Sequence, residues 1–373
     1  MTESTPPPPR VISRAVTVLV AGASALVLVV GLRYFSGIIG PLFLALVLTV
    51  TVHPLRRALS RGRLPGWFGT VVALICVFVV LLGLSVAIVA AGAQLAGLLG
   101  DYSSQFDQLK GRLVQTLHSA GIDKAKVESA LGSLDVGKLA GFVGGLLGGV
   151  AALAGNVVLI LGLLLFMGLD AGGYTRVLQH LPVDRQPLGE SLGQFAVATR
   201  RYFLVATVFG LIVALLDVGV LYLLGVPAPW LWGLLAFITN YIPNIGFVIG
   251  LIPPALLALV GGGWQSALLV VLLYAVINAV VQSGIQPKVV GDSVGLSATL
   301  SFVSLIFWAF VLGAWGALLA IPLSLFARAL LIDVDTSLSW IRPLLSGQHL
   351  AHPSADDTSP SAGAPAVSEP ASS

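Results

Sequence analysis

The chain predicts an all-α polytopic membrane protein, with about six full transmembrane helices plus two re-entrant or broken helical hairpins in an inverted repeat. Three observations carry that expectation. Hydrophobic residues make up 57% of the 373 positions and charged residues only 9%, whereas a soluble domain carries charge on roughly a quarter of its positions. The apolar residues fall in repeated blocks of about 20, the length that crosses a bilayer core as helix. Two late blocks, 230–260 and 298–327, are interrupted near the middle by glycine and polar or bulky residues.

Residues 1–14 and 333–373 are rich in Pro, Ser and Ala towards their ends and offer little to bury, so both are expected to be disordered, cytoplasmic segments. Full spans are expected at 15–32, 36–53, 67–92, 146–169, 203–224 and 264–285. The first is long for a cleaved secretory signal, lacks a small-residue cleavage site, and is followed at once by another span. Arg56, Arg57, Arg61 and Arg63 in the loop after the second span, and Arg176, Arg185, Arg200 and Arg201 after the fourth, put those loops and both termini in the cytoplasm by the positive-inside rule.

Residues 93–145 then lie outside. Leu98, Tyr102, Phe106, Leu109, Leu113 and Leu117 recur there at spacings of three and four, the stripe of an amphipathic helix. Residues 170–202 hold a second, cytoplasmic amphipathic helix, with Leu188, Leu192, Phe195 and Thr199 on one face. Gly141, Gly145 and Gly149, and again Gly144, Gly148 and Ala152, are four apart, a spacing that lets helix backbones approach closely within a subunit or between subunits. The formal net charge of +3 is carried mainly in loops, which points to membrane orientation and away from nucleic acid. The lone Cys76 excludes an intrachain disulfide and a multi-cysteine metal site.

The stretch 203–332 is expected to form the transport core. About 31 residues from 230 to 260 are too few for two crossings at ~1.5 Å per residue, but enough to enter and leave on one side. Pro243 removes a backbone donor, and Asn244 and Gly246 suit a turn. The second block repeats the order, with Gly313 and Gly316 at the break and Pro322 in the position that Pro253 takes in the first. Paired interrupted segments in two halves mark a midplane site in secondary transporters. The repeat pairs span 203–224 and hairpin 230–260 with span 264–285 and hairpin 298–327.

Asp217, inside "LIVALLDVGVLYLL", places a carboxylate where it costs about 2.5–3.5 kcal/mol on insertion scales. No basic residue lies one turn away, an arrangement suited to reversible protonation or cation binding. Asn278 and Gln282, one turn apart, and Asn240 and Asn244 at the first tip complete the expected solute or ion pathway. The pattern G-x-S-x-G occurs at Gly291–Gly295, but without the strand–turn–helix context a hydrolase needs, and no P-loop, H-E-x-x-H or dinucleotide fingerprint is present. An enzyme is therefore not expected, and neither is a cofactor or a metal, apart from a coupling H+ or Na+.

The strings "YIPNIGFVIGLIPP" and "IQPKVVGDSVGLSATLSFVSLIFWAFVLGAWGALLAIPLSLF" resemble the autoinducer-2 exporter family of bacterial membrane proteins. Pro287, Lys288 and Gly291 match its P-K-x-x-G signature loop, and Gly313, Gly316 and Pro322 its final glycine and proline positions; Ala298, Ala314 and Trp315 depart from prolines common in the family. The resemblance implies a multi-pass protein of the bacterial inner membrane that acts as a homo-oligomer. It also implies a secondary transporter, exporting a small polar organic solute or signal molecule. A sodium or other monovalent cation/proton antiporter is the alternative within transport, and a non-transporting membrane scaffold the alternative outside it.

Overall fold

The computed structural model describes residues 13–60, 66–119, 123, 141, 144–145, 148, 155–243, 245–286 and 297–334. Every regular element among them is helical. In chain order these are α1 (Arg14–Tyr34), α2 (Ser36–Ser60), α3 (Gly66–Ser119), α4 (Val157–Gln179), a 3-10 turn (Val183–Arg185), α5 (Gln186–Leu223), α6 (Pro229–Thr239), α7 (Gly246–Asn278), a π-helical turn (Ala279–Ile285), α8 (Ala298–Leu312), α9 (Ala314–Leu318) and α10 (Ala320–Leu331). Among the described residues, five stretches are long and apolar enough to cross a membrane: 15–34, 36–54, 71–94, 186–223 and 246–282. Of the fourth expected span, 146–169, residues 148 and 155–169 are described, and its apolar helical part there runs over Val157–Asp170.

The two expected amphipathic helices are continuous with their neighbouring spans. α3 runs unbroken from the third span through residue 119, although the side chains of its expected stripe from Leu98 to Leu117 lie outside the described residues. α5 joins the 188–199 helix to the fifth span, and its inner face buries Phe195 and Thr199. α1 starts on a Ser13 cap, whose hydroxyl accepts from the Val16 amide at 3.3 Å. Its apolar window contains no buried residue, so it offers its surface to lipid. Around Gly141, Gly144, Gly145 and Gly148 no other described atom of the protomer lies within 4 Å of where a side chain would begin; Gly149 and Ala152 are outside the described residues.

Both interrupted blocks are helical hairpins. In the first, α6 runs into a turn at residues 240–245 and α7 returns along it, with Gly250 against Ala236 and Gly246 against the Thr239 carbonyl. Eleven residues of α6 span about 16 Å, roughly half of a ~30 Å hydrocarbon core. The returning arm ends at Gly263, whose φ of 78° and ψ of −178° separate it from the expected span beginning at 264. Only glycine adopts that conformation without strain. In the second hairpin, Gly313 (φ 63°) ends α8. The short α9 turns the chain and α10 comes back along α8, where the Trp308 indole donates to Ser324 Oγ at 2.9 Å.

Two sequence expectations need correction here. Pro253 is not part of a turn: with Pro254 it lies inside the returning arm, two helical turns past Gly246. A proline interior to a helix costs one donor and kinks it, but does not reverse the chain when tertiary packing holds both sides. Pro322 likewise sits in the first turn of α10, where its missing N–H has no helical acceptor to lose.

The first hairpin packs on the C-terminal half of α5 through a core that includes Leu221, Trp232, Leu235, Leu257 and Tyr274. The second packs on α2 and the N-terminal half of α5 through Phe43, Val47, Phe203, Leu319 and Leu323. Rings of Phe43, Phe195 and Phe326 join these three elements, with centroid separations of 5.3–6.4 Å. α5 is thus the common wall of both hairpins. Since the arms of the first hairpin are antiparallel, Trp230→Cys and Val260→Cys, each in a Cys76→Ser background, are expected to react with a membrane-impermeant maleimide from the same side of the membrane. Labelling from opposite sides would show two crossings instead.

Candidate functional site

The first hairpin tip is pinned at several points. Tyr202 on α5 donates its hydroxyl to the Tyr241 carbonyl at 2.8 Å. The Asn240 side chain donates to the Ala206 carbonyl at 3.1 Å and accepts from Gln282 Nε2 at 2.8 Å. Tyr241 and Thr207 share a hydroxyl hydrogen bond of 2.7 Å. Such bonds satisfy a turn's polar groups away from water, which is the condition for irregular backbone to persist within a membrane protein. Room for Asn240 comes from Gly210: a Cβ there would stand 2.6 Å from the Asn240 amide nitrogen.

Behind the tip lies a cavity of about 10 Å³, lined among others by Asp217, Thr239, Asn240, Tyr274, Asn278 and Gln282. Four of the five residues expected to form the pathway therefore meet in one place, contributed by α5, the hairpin tip, α7 and the π-helical turn. The fifth, Asn244, lies outside the described residues, as do Pro287, Lys288 and Gly291 of the signature loop. Asp217 is 1% exposed and Tyr274 also 1%. Asp217 Oδ1, Asn278 Oδ1 and the Tyr274 hydroxyl are buried without a hydrogen-bond partner among the described residues. The amide nitrogen of Asn278 is used locally, donating to the Tyr274 carbonyl at 3.3 Å.

The three residues that carry these oxygens, a carboxylate, an amide and a phenol, line a space that admits about one water-sized particle. No basic side chain among the described residues lines it. A single carboxylate offsets one positive charge, so the donor set suits a proton or a monovalent cation. Divalent sites of proteins gather more oxygen ligands and usually more than one carboxylate, and no group of three or more His, Cys, Asp or Glu side chains is assembled among the described residues.

Sequence reasoning missed Tyr274 and Thr239. Tyr274 had a visible signal, because Tyr274, Asn278 and Gln282 follow one another at intervals of four. The π-helical turn over Ala279–Ile285 had none. It begins directly after Asn278 and contains Gln282, so these two are not related by an ordinary α-turn. Single π-helical insertions are common at functional sites because they re-aim side chains.

A multi-span helical bundle, two broken hairpins and a buried polar cavity at the tip of the first of them together fit a membrane transport protein. Comparison with known proteins agrees. Residues 23–335 match the family model described as AI-2E family transporter. The chain belongs to the AI-2E transporter family. It is 30% identical to the "AI-2 transport protein TqsA" of Escherichia coli (strain K12) over 81% of this chain and 88% of that protein. It is 25% identical to the "Putative transport protein YhhT" of the same organism over 82% of this chain and 88% of that one. A multi-pass protein of the bacterial inner membrane follows from the spans and these relatives.

Proposed function

We propose that this protein exports a small organic solute, AI-2 or a related molecule, from the cytoplasm, using a proton or monovalent cation that occupies the Asp217 cavity. The observation that carries the reading is the convergence of Asp217, Asn240, Asn278 and Gln282 on one buried space at the tip of the first hairpin. That space is too small for an organic solute, which supports its use by a coupling ion. Binding there bears on transport directly, because Asn240 belongs to the tip and Gln282 holds it at 2.8 Å. A charge that draws Asn278, Tyr274 or Asn240 towards Asp217 alters the hold on the hairpin.

The two hairpins form the moving unit, with both termini cytoplasmic and the two hairpin halves inverted. The protein acts as a homo-oligomer. The alternative within transport is that a monovalent cation is the cargo and exchanges for protons.

Flux in vesicles reconstituted with the purified full-length protein separates the two. Under imposed proton or sodium gradients, accumulation of AI-2 on the side the gradient dictates is expected. Sodium-dependent proton movement in the absence of any organic solute would overturn the export reading in favour of the antiporter. Equal accumulation with and without either gradient would overturn the coupling.

A further inference from the structure

A second cavity, of about 240 Å³, lies on the other side of the first hairpin tip. Phe237 and Tyr241 of the first hairpin and Trp315 of the second both reach it, and α2, α3, α4 and α5 close it. It is the place where both hairpins face the same space. We infer that this chamber is the solute site, and that it takes an uncharged organic molecule with an apolar body and a few hydroxyl or N–H donors. This inference rests on the transporter reading above.

The chemistry follows from a count of hydroxyl protons. None of the described side chains lining the chamber is charged, and most are aliphatic or aromatic. Its four hydroxyls belong to Thr51, Ser85, Thr207 and Tyr241. Thr51 donates to the Val47 carbonyl, Ser85 to the Leu81 carbonyl and Thr207 to the Phe203 carbonyl, each at 2.7 Å. A hydroxyl has one proton. Since the proton of Thr207 is committed to Phe203, the 2.7 Å contact between Thr207 and Tyr241 requires the tyrosine to donate. All four hydroxyl protons are therefore spent inside the protein, and what these groups show the chamber is lone pairs.

A ligand can donate to these hydroxyls but cannot accept from them, and the Trp315 indole N–H is the remaining side-chain donor among the lining residues. A carboxylate or phosphate would enter with its charge desolvated and at most the one neutral N–H of Trp315, with no described cation, to meet it, which is strongly unfavourable. A hydroxylated, uncharged solute satisfies the oxygens and places its carbon skeleton on the apolar walls. The volume lies below the ~300–1,000 Å³ of drug-sized pockets, which sets the solute as small. Tyr241 joins the chamber to the ion cavity, because its neighbour Asn240 lines the other side and both are on the same tip.

The test uses full-length protein in lipid nanodiscs and three probes of similar size: cyclohexane-1,2-diol, cyclohexanone and cyclohexanecarboxylate. Saturation-transfer NMR, with empty nanodiscs as the background, measures saturable binding. The diol is expected to bind, the carboxylate not to bind, and the ketone to bind at least about tenfold more weakly, the factor that accompanies one lost hydrogen bond. Thr207→Val removes the acceptor of Tyr241 and frees its proton, so the ketone-to-diol affinity ratio should rise about tenfold. Thr207→Ser should keep the wild-type ratio. Leu48→Trp, which fills the chamber, should abolish binding of the diol.

Equal binding of diol and ketone by the wild type would overturn the hydroxyl account. Diol binding that survives Leu48→Trp would place it elsewhere and overturn the chamber, and so would the absence of saturable binding by every probe, the result expected if lipid acyl chains fill the space. Saturable diol binding without gradient-driven flux of any solute would leave the chamber standing and remove the transporter reading. Flux without diol binding would do the reverse.

Discussion

Asp217→Asn is expected to reduce gradient-driven flux at least about a hundredfold, while leaving the folded protein as stable as the wild type or more so. The two halves of that result have one cause. Asp217 Oδ1 has no hydrogen-bond partner among the described residues, and the side chain is 1% exposed. A charged carboxylate at the centre of a membrane helix costs about 2.5–3.5 kcal/mol on insertion scales. At 1.4 kcal/mol per factor of ten, that energy corresponds to about two orders of magnitude in the occupancy of a compensating cation or proton. Asparagine keeps the shape and removes the charge. It therefore removes both the cost of burial and the attraction for the coupling ion.

Measurement requires two numbers on each variant: flux in vesicles, and the midpoint of thermal unfolding in detergent. Lost flux with an unchanged or raised midpoint is the predicted pair, the pattern of a residue kept for activity at the expense of stability. Lost flux with a lowered midpoint would make Asp217 a structural residue. Retained flux that no longer responds to pH would leave solute movement intact and assign Asp217 to coupling alone. Asn278→Ala makes a useful contrast. It removes an uncharged ligand oxygen, so a partial loss is expected, smaller than that of Asp217→Asn.

Much of this architecture is legible in the sequence because the bilayer imposes simple rules. A segment crosses if it is apolar for about 20 residues, and a polar group inside such a segment is conspicuous against the background. That is why Asp217, Asn240, Asn278 and Gln282 could be picked out one at a time, and why the breaks near Pro243 and Gly313 could be located. What the sequence withheld was of two kinds. Pro253 reads as a turn residue because proline carries the same local signal whether the chain reverses or merely bends, and only packing decides. The chamber beneath Trp315 has no local signal at all: its lining comes from six helices, and its threonines and serine look like ordinary polar residues in apolar runs. The same holds for the π-helical turn, which changes the aim of Gln282 without any residue to announce it. Sequence pattern records which residues are costly to bury, and the cavity chemistry depends on where their protons point.

The hairpins themselves make the second large prediction. Gly246 approaches the Thr239 carbonyl so closely that a Cβ would occupy the oxygen's place, and Gly316 meets the Trp308 carbonyl in the same way. Both obstacles are backbone atoms, so no side-chain rearrangement relieves the overlap, and the arms must separate. Gly246→Ala and Gly316→Ala are each expected to destabilise the protein by about 3 kcal/mol, the upper end for overpacking in a well-packed interior, and to abolish flux. Gly219→Ala is the matched control: it lies in α5, with nothing within 4 Å of its would-be Cβ. There the substitution should be neutral or stabilising by about 0.5–1 kcal/mol, the ordinary gain of Ala over Gly inside a helix. Unfolding midpoints and flux for the three variants decide the matter. If Gly246→Ala and Gly316→Ala behaved like Gly219→Ala, the arms would not be in backbone contact, and two kinked spanning helices would replace the hairpins. If both lost stability by a similar amount, two breaks far apart in the chain would share one construction, a glycine that lets the chain close on a carbonyl of the outgoing arm as it turns back.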